Sequence, residues 1–483
     1  MSANSFPPRS GPHEPNGLRL LPYVFWGLTG LLFLLALLWA PVNKDAGYFL
    51  STARAIAEGD APFRDVALRY PPMAMLAFAA LGKIIGFERY EAMVLLVLMV
   101  QIANAWLLYR LAGRLWPQPL FQGLTAAAYT LAFFLNDGPF IMLEPFLVLG
   151  ALSAAYCVFR AEQSHRGAGW YLLAGIAAGF SVMSKQYGLA PVGMLGFYVL
   201  LLSDRPILQR LVSAGWMALG GGIFGAVFFG TFWWWSGIAP ADLVDKLLSA
   251  GEDYGYHRID WALKFLLKHV LWCCPTLLLA LLSLRVLADH RRALGLVMVL
   301  GASMLPLYFK QYPHYTQIYL PYAFLLAHWG LGALEAQRPQ WFAAVRWSFV
   351  ALCVWLAVQG FLSVNAWRAG EEKAKLRVLA DRARSLVSND EKSLLYGKQH
   401  LYYLADLQPA NKSQHGFRFR PPWQADTTLL EQVAFVLVDR SKNDQKPVPP
   451  PESILSEAGF LRLADSPGFP ELEWWTRNPI THQ

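Results

Sequence analysis

Long apolar runs separated by short polar connectors fill the first three quarters of the chain. Runs at 18–42, 90–113, 118–136, 139–159, 170–187, 189–203, 209–236, 263–286, 293–309, 316–334 and 347–366 predict eleven membrane spans. A spanning helix needs about 20 mostly apolar residues. The first run exceeds the 7–15 residues of a signal-peptide core, so it predicts a retained span. The segment 71–86 begins at Pro71-Pro72 and is too short to cross, which predicts a re-entrant or interfacial element. Residues 1–17 are rich in Pro, Ser and Gly and predict a disordered cytoplasmic start. Gly221 and Gly225 form a small-xxx-small pair in the seventh span and predict close helix packing there.

After Ala366 the pattern changes. Leu376, Leu379, Ala380, Ala383 and Leu386 recur at helical spacing within 368–388. Leu394 to Tyr396 and Val433 to Val438 read as buried strands, and Pro447 to Pro451 precede a short helix at 452–458. No internal repeat is visible.

Charge sharpens this division. Of 483 residues, 366–483 carry 16 Lys/Arg and 15 Asp/Glu, a density of about a quarter, as in soluble domains. The preceding 365 residues carry 43, about half that density. The chain therefore reads as a disordered N-terminus (1–17), a membrane domain (18–366) and a soluble α/β domain (367–483). This excludes a soluble enzyme and a secreted disulfide scaffold. All four cysteines (Cys157, Cys273, Cys274, Cys353) lie in apolar runs, without zinc-site spacing. The net charge of +8 sits in the membrane half, where topology explains it and nucleic acid does not.

The cations also set orientation. With 71–86 not crossing, Arg9, Arg19, Arg110, Arg114, Arg160, Arg166, Arg205, Arg210, Arg285, Arg291, Arg292, Arg338 and Arg346 all fall on one side. The positive-inside rule makes that side cytoplasmic. Eleven spans then place the soluble domain outside.

The same topology gathers the unusual polar residues on the outer face. The first outer loop, 43–70, holds Asp45, Tyr48, Arg54, Asp65, Arg69 and Tyr70; the second holds Asp137, with Glu144 just inside the membrane. The third holds Lys185 and Gln186, the fourth Glu252, Asp253, His257 and Arg258, and the fifth Lys310, His314 and Tyr315. Ionisable groups at membrane depth are costly and favour a functional reading. Cations and carboxylates together suit an anionic amphiphile, with cations on a phosphate and a carboxylate as base. Bland readings stand beside these. Asp45 fits a solvated turn, Glu144 and Lys185 fit a structural pair, and Lys310 and His314 fit snorkelling at a helix end. His257 as a metal ligand lacks a second histidine nearby.

Several segments resemble a known family. Asn43 to Arg54 resembles the first outer loop of polytopic GT-C glycosyltransferases, with an acidic residue, aromatics and a short interfacial helix. Gly59 to Pro72, GDAPFRDVALRYPP, resembles the stretch that follows and ends in a double proline. Leu143-Glu144-Pro145-Phe146 and Ser184-Lys185-Gln186 resemble its second- and third-loop signatures. Lys310 to Pro321, KQYPHYTQIYLP, and Tyr396 to Pro409, YGKQHLYYLADLQP, resemble a late helix start and the opening of its periplasmic tail. The nearest groups are bacterial relatives of protein O-mannosyltransferases and of the lipid A aminoarabinose transferase.

The resemblance implies an all-α polytopic GT-C-like domain of about eleven spans, with interfacial helices in the first outer loop. A small C-terminal α/β periplasmic domain follows. It implies an enzyme of the bacterial inner membrane that moves a hexosyl or pentosyl group from a polyprenyl-phosphate donor. The acceptor would be a lipid, polysaccharide or protein, and the displacement inverting. By carry-over Asp45 is the general base, and Arg69, Lys185 and Lys310 bind the donor phosphate. Tyr48, Arg54, Tyr70, Asp137, Glu144, Gln186, His314 and Tyr315 bind substrate or support the site. Aminoarabinose transferases carry Glu-Lys before the double proline, with the Glu on zinc; here Arg69 and Tyr70 stand there. No cofactor is therefore fixed, and a divalent metal ion on Asp137, Glu144 or His257 stays open. A transporter or flippase of a lipid-linked sugar is the competing reading. It predicts inverted repeats and midplane polar residues, and the sequence shows neither.

Overall fold

The structure is a computed structural model that describes residues 16–40, 42–66, 68, 70–164, 167–249, 291–309, 312–337, 339–387, 391–396, 400–405, 407–409, 428–439, 451–463 and 472–477. The predicted span at 263–286, Cys273, Cys274, residues 250–262 of the fourth outer loop and most of 1–17 lie outside them.

The apolar runs are helices. In chain order they are α1 (Asn16–Trp39), α2 (Lys44–Ala57), α3 (Met73–Ile85), α4 (Tyr90–Leu115), α5 (Pro119–Phe133), α6 (Glu144–Glu162), α7 (Ala168–Ser184), α8 (Leu189–Phe197), α9 (Ile207–Ser236), α10 (Pro240–Ser249), α11 (Arg291–Ser303), α12 (Leu305–Phe309), α13 (Thr316–Gln337) and α14 (Pro339–Gly370). A π-helical turn, Tyr198–Leu202, extends α8. Five helices among the described residues are long and apolar enough to cross a membrane. Helix α3 has 13 residues, a length of about 20 Å. That is short of the roughly 30 Å hydrocarbon core.

The chain divides into two compact units. The first is Met1–Trp39, Val94–Thr231 and Gly251–Ala366; the second is Ala40–Met93, Phe232–Ala250 and Trp367–Gln483. The first outer loop and α10 therefore belong with the tail.

In the first unit α6 packs along α7, α1 on α5, and α13 on α5 and α11. Small residues allow the closest approaches. A Cβ on Gly150 would lie 2.6 Å from Ser181 N, and one on Gly175 would lie 1.9 Å from Met217 O. Gly220 meets Leu172 O in the same way, whereas Gly221 makes an ordinary contact and Gly225 faces open space. The close contact expected at Gly221 and Gly225 thus falls on Gly175 and Gly220. The helix phase, rather than the i,i+4 spacing, selects which glycine meets its neighbour. Cys157 and Cys353 are buried and free, as packing residues are.

The second unit holds α2, packed on α3, and the C-terminal segment. That segment contains α15 (Glu372–Leu386), β1 (Lys392–Tyr396), α16 (His400–Leu404), β2 (Gln408–Pro409), α17 (Thr428–Glu431), β3 (Phe435–Asp439), α18 (Glu452–Glu457), β4 (Leu461–Arg462) and β5 (Leu472–Thr476). The sheet order is β2-β1-β3-β5-β4. β1 pairs parallel with β2 and β3; β5 pairs antiparallel with β3 and β4. Alternation along the strands covers both faces. Leu395, Phe435, Leu437 and Trp474 pack under α15 and α16, while Leu394, Val436, Val438 and Trp475 pack against Leu455 and Phe460. A period of two with both faces apolar explains why these strands read as continuous hydrophobic runs.

Candidate functional site

In the first unit, breaks in the helices bring charges together. Helix α7 ends at Ser184, and Lys185 is extended (φ −162°, ψ 134°) before a 3₁₀ turn, Gln186–Gly188. Glu144 occupies the first turn of α6, where the helix dipole favours a carboxylate. Lys185 donates to Glu144 Oε1, and the pair is almost fully buried. The ammonium also lies 4.6 Å from the centroid of the Tyr315 ring and 5.7 Å from that of Tyr187.

His314 completes the cluster. Its Nδ1 is 3.3 Å from Asp137 Oδ2, and its Nε2 is 3.8 Å from Glu144 Oε1. Tyr312 stacks on the imidazole with centroids 5.4 Å apart, and Tyr315 meets it edge-on at 4.7 Å. Asp137 adopts φ 57°, a left-handed conformation that Asp tolerates better than most residues. Gly138 allows the same turn, because a Cβ there would lie 2.2 Å from Phe133 O.

An uncharged network supports these loops from inside. Tyr129 and Asn104 both donate to Gln101 Oε1, at 2.8 and 3.2 Å. Asn104 also donates to Pro145 O at 3.0 Å, and Gln317 Nε2 donates to Asn136 O at 2.6 Å. The starts of α6 and α13 and the turn before Asp137 are therefore pinned by buried amides. Buried polar networks of this kind fix one arrangement because an unmade bond is costly.

In the second unit α2 carries the first outer-loop candidates. The Asn43 side chain caps α2 by accepting from Ala46 N at 2.7 Å. Asp45 is half-buried in the first turn, and Tyr48 is buried. Tyr70 packs on Phe49 at 6.2 Å between ring centroids. Arg54, in the last turn, lies over the Phe87 and Tyr403 rings at 5.4 and 5.8 Å. The loop after α2 is tied by Asp65, which accepts from Ala61 N at 2.9 Å and pairs with Arg64. Lys246 of α10 donates to Phe63 O at 3.0 Å.

The structure thus brings together Asp137, Glu144, Lys185, His314 and Tyr315, with Gln186 beside them in sequence. Asp45, Tyr48, Arg54 and Tyr70 belong to the other unit. Arg69, Lys310 and His257 lie outside the described residues. Tyr187, Tyr312 and the Gln101–Asn104–Gln317 network escaped the sequence reading. Two amides three residues apart inside the apolar run of α4 were the available signal. A small pocket lined by Phe159, Leu195, Tyr198, Leu296, Val299 and Tyr322 is apolar and holds none of the candidates.

The metal candidates can be tested on this geometry. Glu144 Oε1 is taken by the Lys185 ammonium, and both imidazole nitrogens of His314 face carboxylates. Among the described residues no group of three His, Cys, Asp or Glu could hold a metal ion. His257, the third metal candidate of the sequence, lies outside the described residues.

Known proteins share this arrangement of elements. Residues 69–235 match the family described as dolichyl-phosphate-mannose-protein mannosyltransferase. No curated protein matches the chain by sequence. Among solved structures, ArnT from Cupriavidus metallidurans bound to undecaprenyl phosphate aligns with a TM-score of 0.68 at 15% identity, covering 95% of this chain and 98% of that one. Its apo form aligns with a TM-score of 0.66 at 14% identity, covering 94% and 97%. The fold is that of the GT-C glycosyltransferases. The archaeal oligosaccharyltransferase AglB from Archaeoglobus fulgidus, in complex with an inhibitory peptide and a dolichol-phosphate, aligns with a TM-score of 0.53 at 11% identity, covering 87% of this chain and 70% of that one. The GT-C likeness thus runs through both units, since the ArnT alignments span nearly the whole chain.

Proposed function

We propose that this chain is an inner-membrane glycosyltransferase that moves one sugar from a polyprenyl-phosphate donor to a lipid, polysaccharide or protein acceptor. The observation that carries the reading is a full-length GT-C fold, shared with a structure holding undecaprenyl phosphate, in a chain that also matches the mannosyltransferase family model. The arrangement of cations along the sequence supports an outward-facing site and an outward-facing C-terminal domain.

In this reading Asp45 accepts the proton of an acceptor hydroxyl or amine. The freed electron pair forms a bond to the anomeric carbon from the face opposite the phosphate. The bond from that carbon to the phosphate oxygen breaks, and the oxygen keeps the pair, so the configuration inverts. The departing polyprenyl phosphate gains negative charge, and positioned cations stabilise that charge in a dry site. Lys185, Arg69 and Lys310 fill this role. Lys185 is preorganised by Glu144 and the faces of Tyr187 and Tyr315. Asp137, His314 and the buried amide network hold that arrangement in place. Tyr48 within α2 and Tyr70, which packs on Phe49 of α2, support the Asp45 side of the site.

The test is mass spectrometry of envelope lipids, polysaccharide and protein from cells expressing wild type or Asp45→Asn at equal abundance. One sugar-sized mass present with wild type and missing with the variant identifies sugar and acceptor together. Equal modification in both would remove Asp45 as the base.

A further inference from the structure

The C-terminal segment reaches α2 through a small set of contacts. Helix α16 is five residues long, and consecutive tyrosines on it serve different partners. The Tyr402 hydroxyl accepts from Leu395 N at 2.9 Å and lies 3.3 Å from Ser393 O, so this ring is fastened to β1. Leu401, Tyr402 and Ala405 belong to the core under one face of the sheet. Tyr403 turns away from that core. Its hydroxyl donates to Phe87 O, and its ring joins that of Phe87 in enclosing the Arg54 guanidinium. Tyr403 is 4% exposed, and Tyr90 packs on it at 6.3 Å between centroids. Nearby, Lys373 and Arg377 of α15 hold Glu91 at 2.9 and 2.7 Å.

Two elements of the C-terminal segment therefore grip one end of α2, Phe87 and the first turn of α4. Burial keeps this grip well defined. It pushes the Tyr403 hydroxyl pKa up, so the group stays a donor. It also lowers the Arg54 pKa, against the pull of Tyr403, Glu58 and Glu88, yet arginine stays charged. A cation between aromatic faces is held more strongly where water is excluded.

We propose that the C-terminal domain acts as a clamp on α2, with Arg54 and Tyr403 as positioning residues for Asp45. The proposal rests on Asp45 being the base. Asp45 lies nine residues from Arg54 on the same helix, roughly 13 Å along its axis. A helix is stiff over that distance, so loosening its far end moves the carboxylate. A displacement of about 1 Å in a reacting group can lower a rate roughly 100-fold.

The experiment is amide hydrogen exchange on the full-length protein in detergent, paired with the envelope assay, for wild type, Tyr403→Ala and Tyr403→Phe. Tyr403→Ala speeds exchange in 44–57 by roughly tenfold and leaves 144–162 unchanged. It lowers transfer roughly 10- to 100-fold. Tyr403→Phe keeps the ring over Arg54 and restores most of both properties. If Tyr403→Ala does not accumulate, Arg54→Leu serves in the same measurements with the same expected result. Unchanged exchange in 44–57 overturns the clamp. Wild-type transfer by Tyr403→Ala beside a dead Asp45→Asn also overturns it, while leaving the base in place. Full transfer by Asp45→Asn instead removes the base, and α2 exchange then decides the clamp alone.

Discussion

Glu144 and Lys185 lie in the first unit with almost no exposure, whereas Asp45 in the second is half-buried on the first turn of a capped helix. The charged groups of this first-unit cluster face one another: ammonium on carboxylate, imidazole between two carboxylates, aromatic faces around the cation. Such a cluster is built at the cost of desolvation and holds only because each member has a partner. Asp45 sits on the first turn of α2, and that helix is held at its far end by Arg54 against the Phe87 and Tyr403 rings. The contrast separates two kinds of candidate. One kind combines stability and chemistry in the same residues; the other separates them.

That separation can be broken experimentally. Asp45→Asn should lower transfer by roughly 10²–10⁴-fold while the unfolding temperature in detergent stays close to that of wild type. A large drop in that temperature would show that Asp45 is structural, as the lysine is. Lys185→Ala should lose transfer and also stability, by about 3–5 kcal/mol, because Glu144 loses its ammonium partner in the interior. The double variant Lys185→Met with Glu144→Gln should recover most of that stability without recovering transfer. A stable, active double variant would make the pair a packing device only.

Smaller effects sharpen the comparison. Gln317→Leu removes the donor to Asn136 O and leaves Gln101 short of a partner. Thermal unfolding should show a loss of about 1–3 kcal/mol, with donor affinity reduced through the displaced Asp137 turn. At the lower end, Asp381→Ala breaks an exposed i,i+3 pair with Arg384. It should change stability by less than about 0.5 kcal/mol and leave transfer intact.

Much of the bundle was legible because its determinants are local. Length and apolarity of a run specify a helix wherever it packs, and ten of the eleven predicted spans coincide with described helices. The short α3 after Pro71-Pro72 followed from the same arithmetic. The apolar runs at Leu394 to Tyr396 and Val433 to Val438 made two strands visible, and these overlap the observed Lys392–Tyr396 and Phe435–Asp439. Pairing Glu144 with Lys185 was open to the sequence as one reading among others, since both sit at run ends on the same face. The roles of Gln101, Asn104 and Gln317 were not open in that way. Amides inside apolar helices have partners 28, 41 and 181 residues away, and spacing carries no information about such distances.

Which segments are apolar enough to be helices, where charge density changes and which residues could carry chemistry all follow from the order of residues alone. Those properties depend on each residue and its near neighbours. Folding in three dimensions was needed to settle that Lys185 meets Glu144 and His314, that Gly175 and Gly220 make the close contact, and that Tyr403 encloses Arg54. Each depends on the rotation and register of one element against another. That is fixed by the fit of many side chains at once, and no single stretch of the chain contains it.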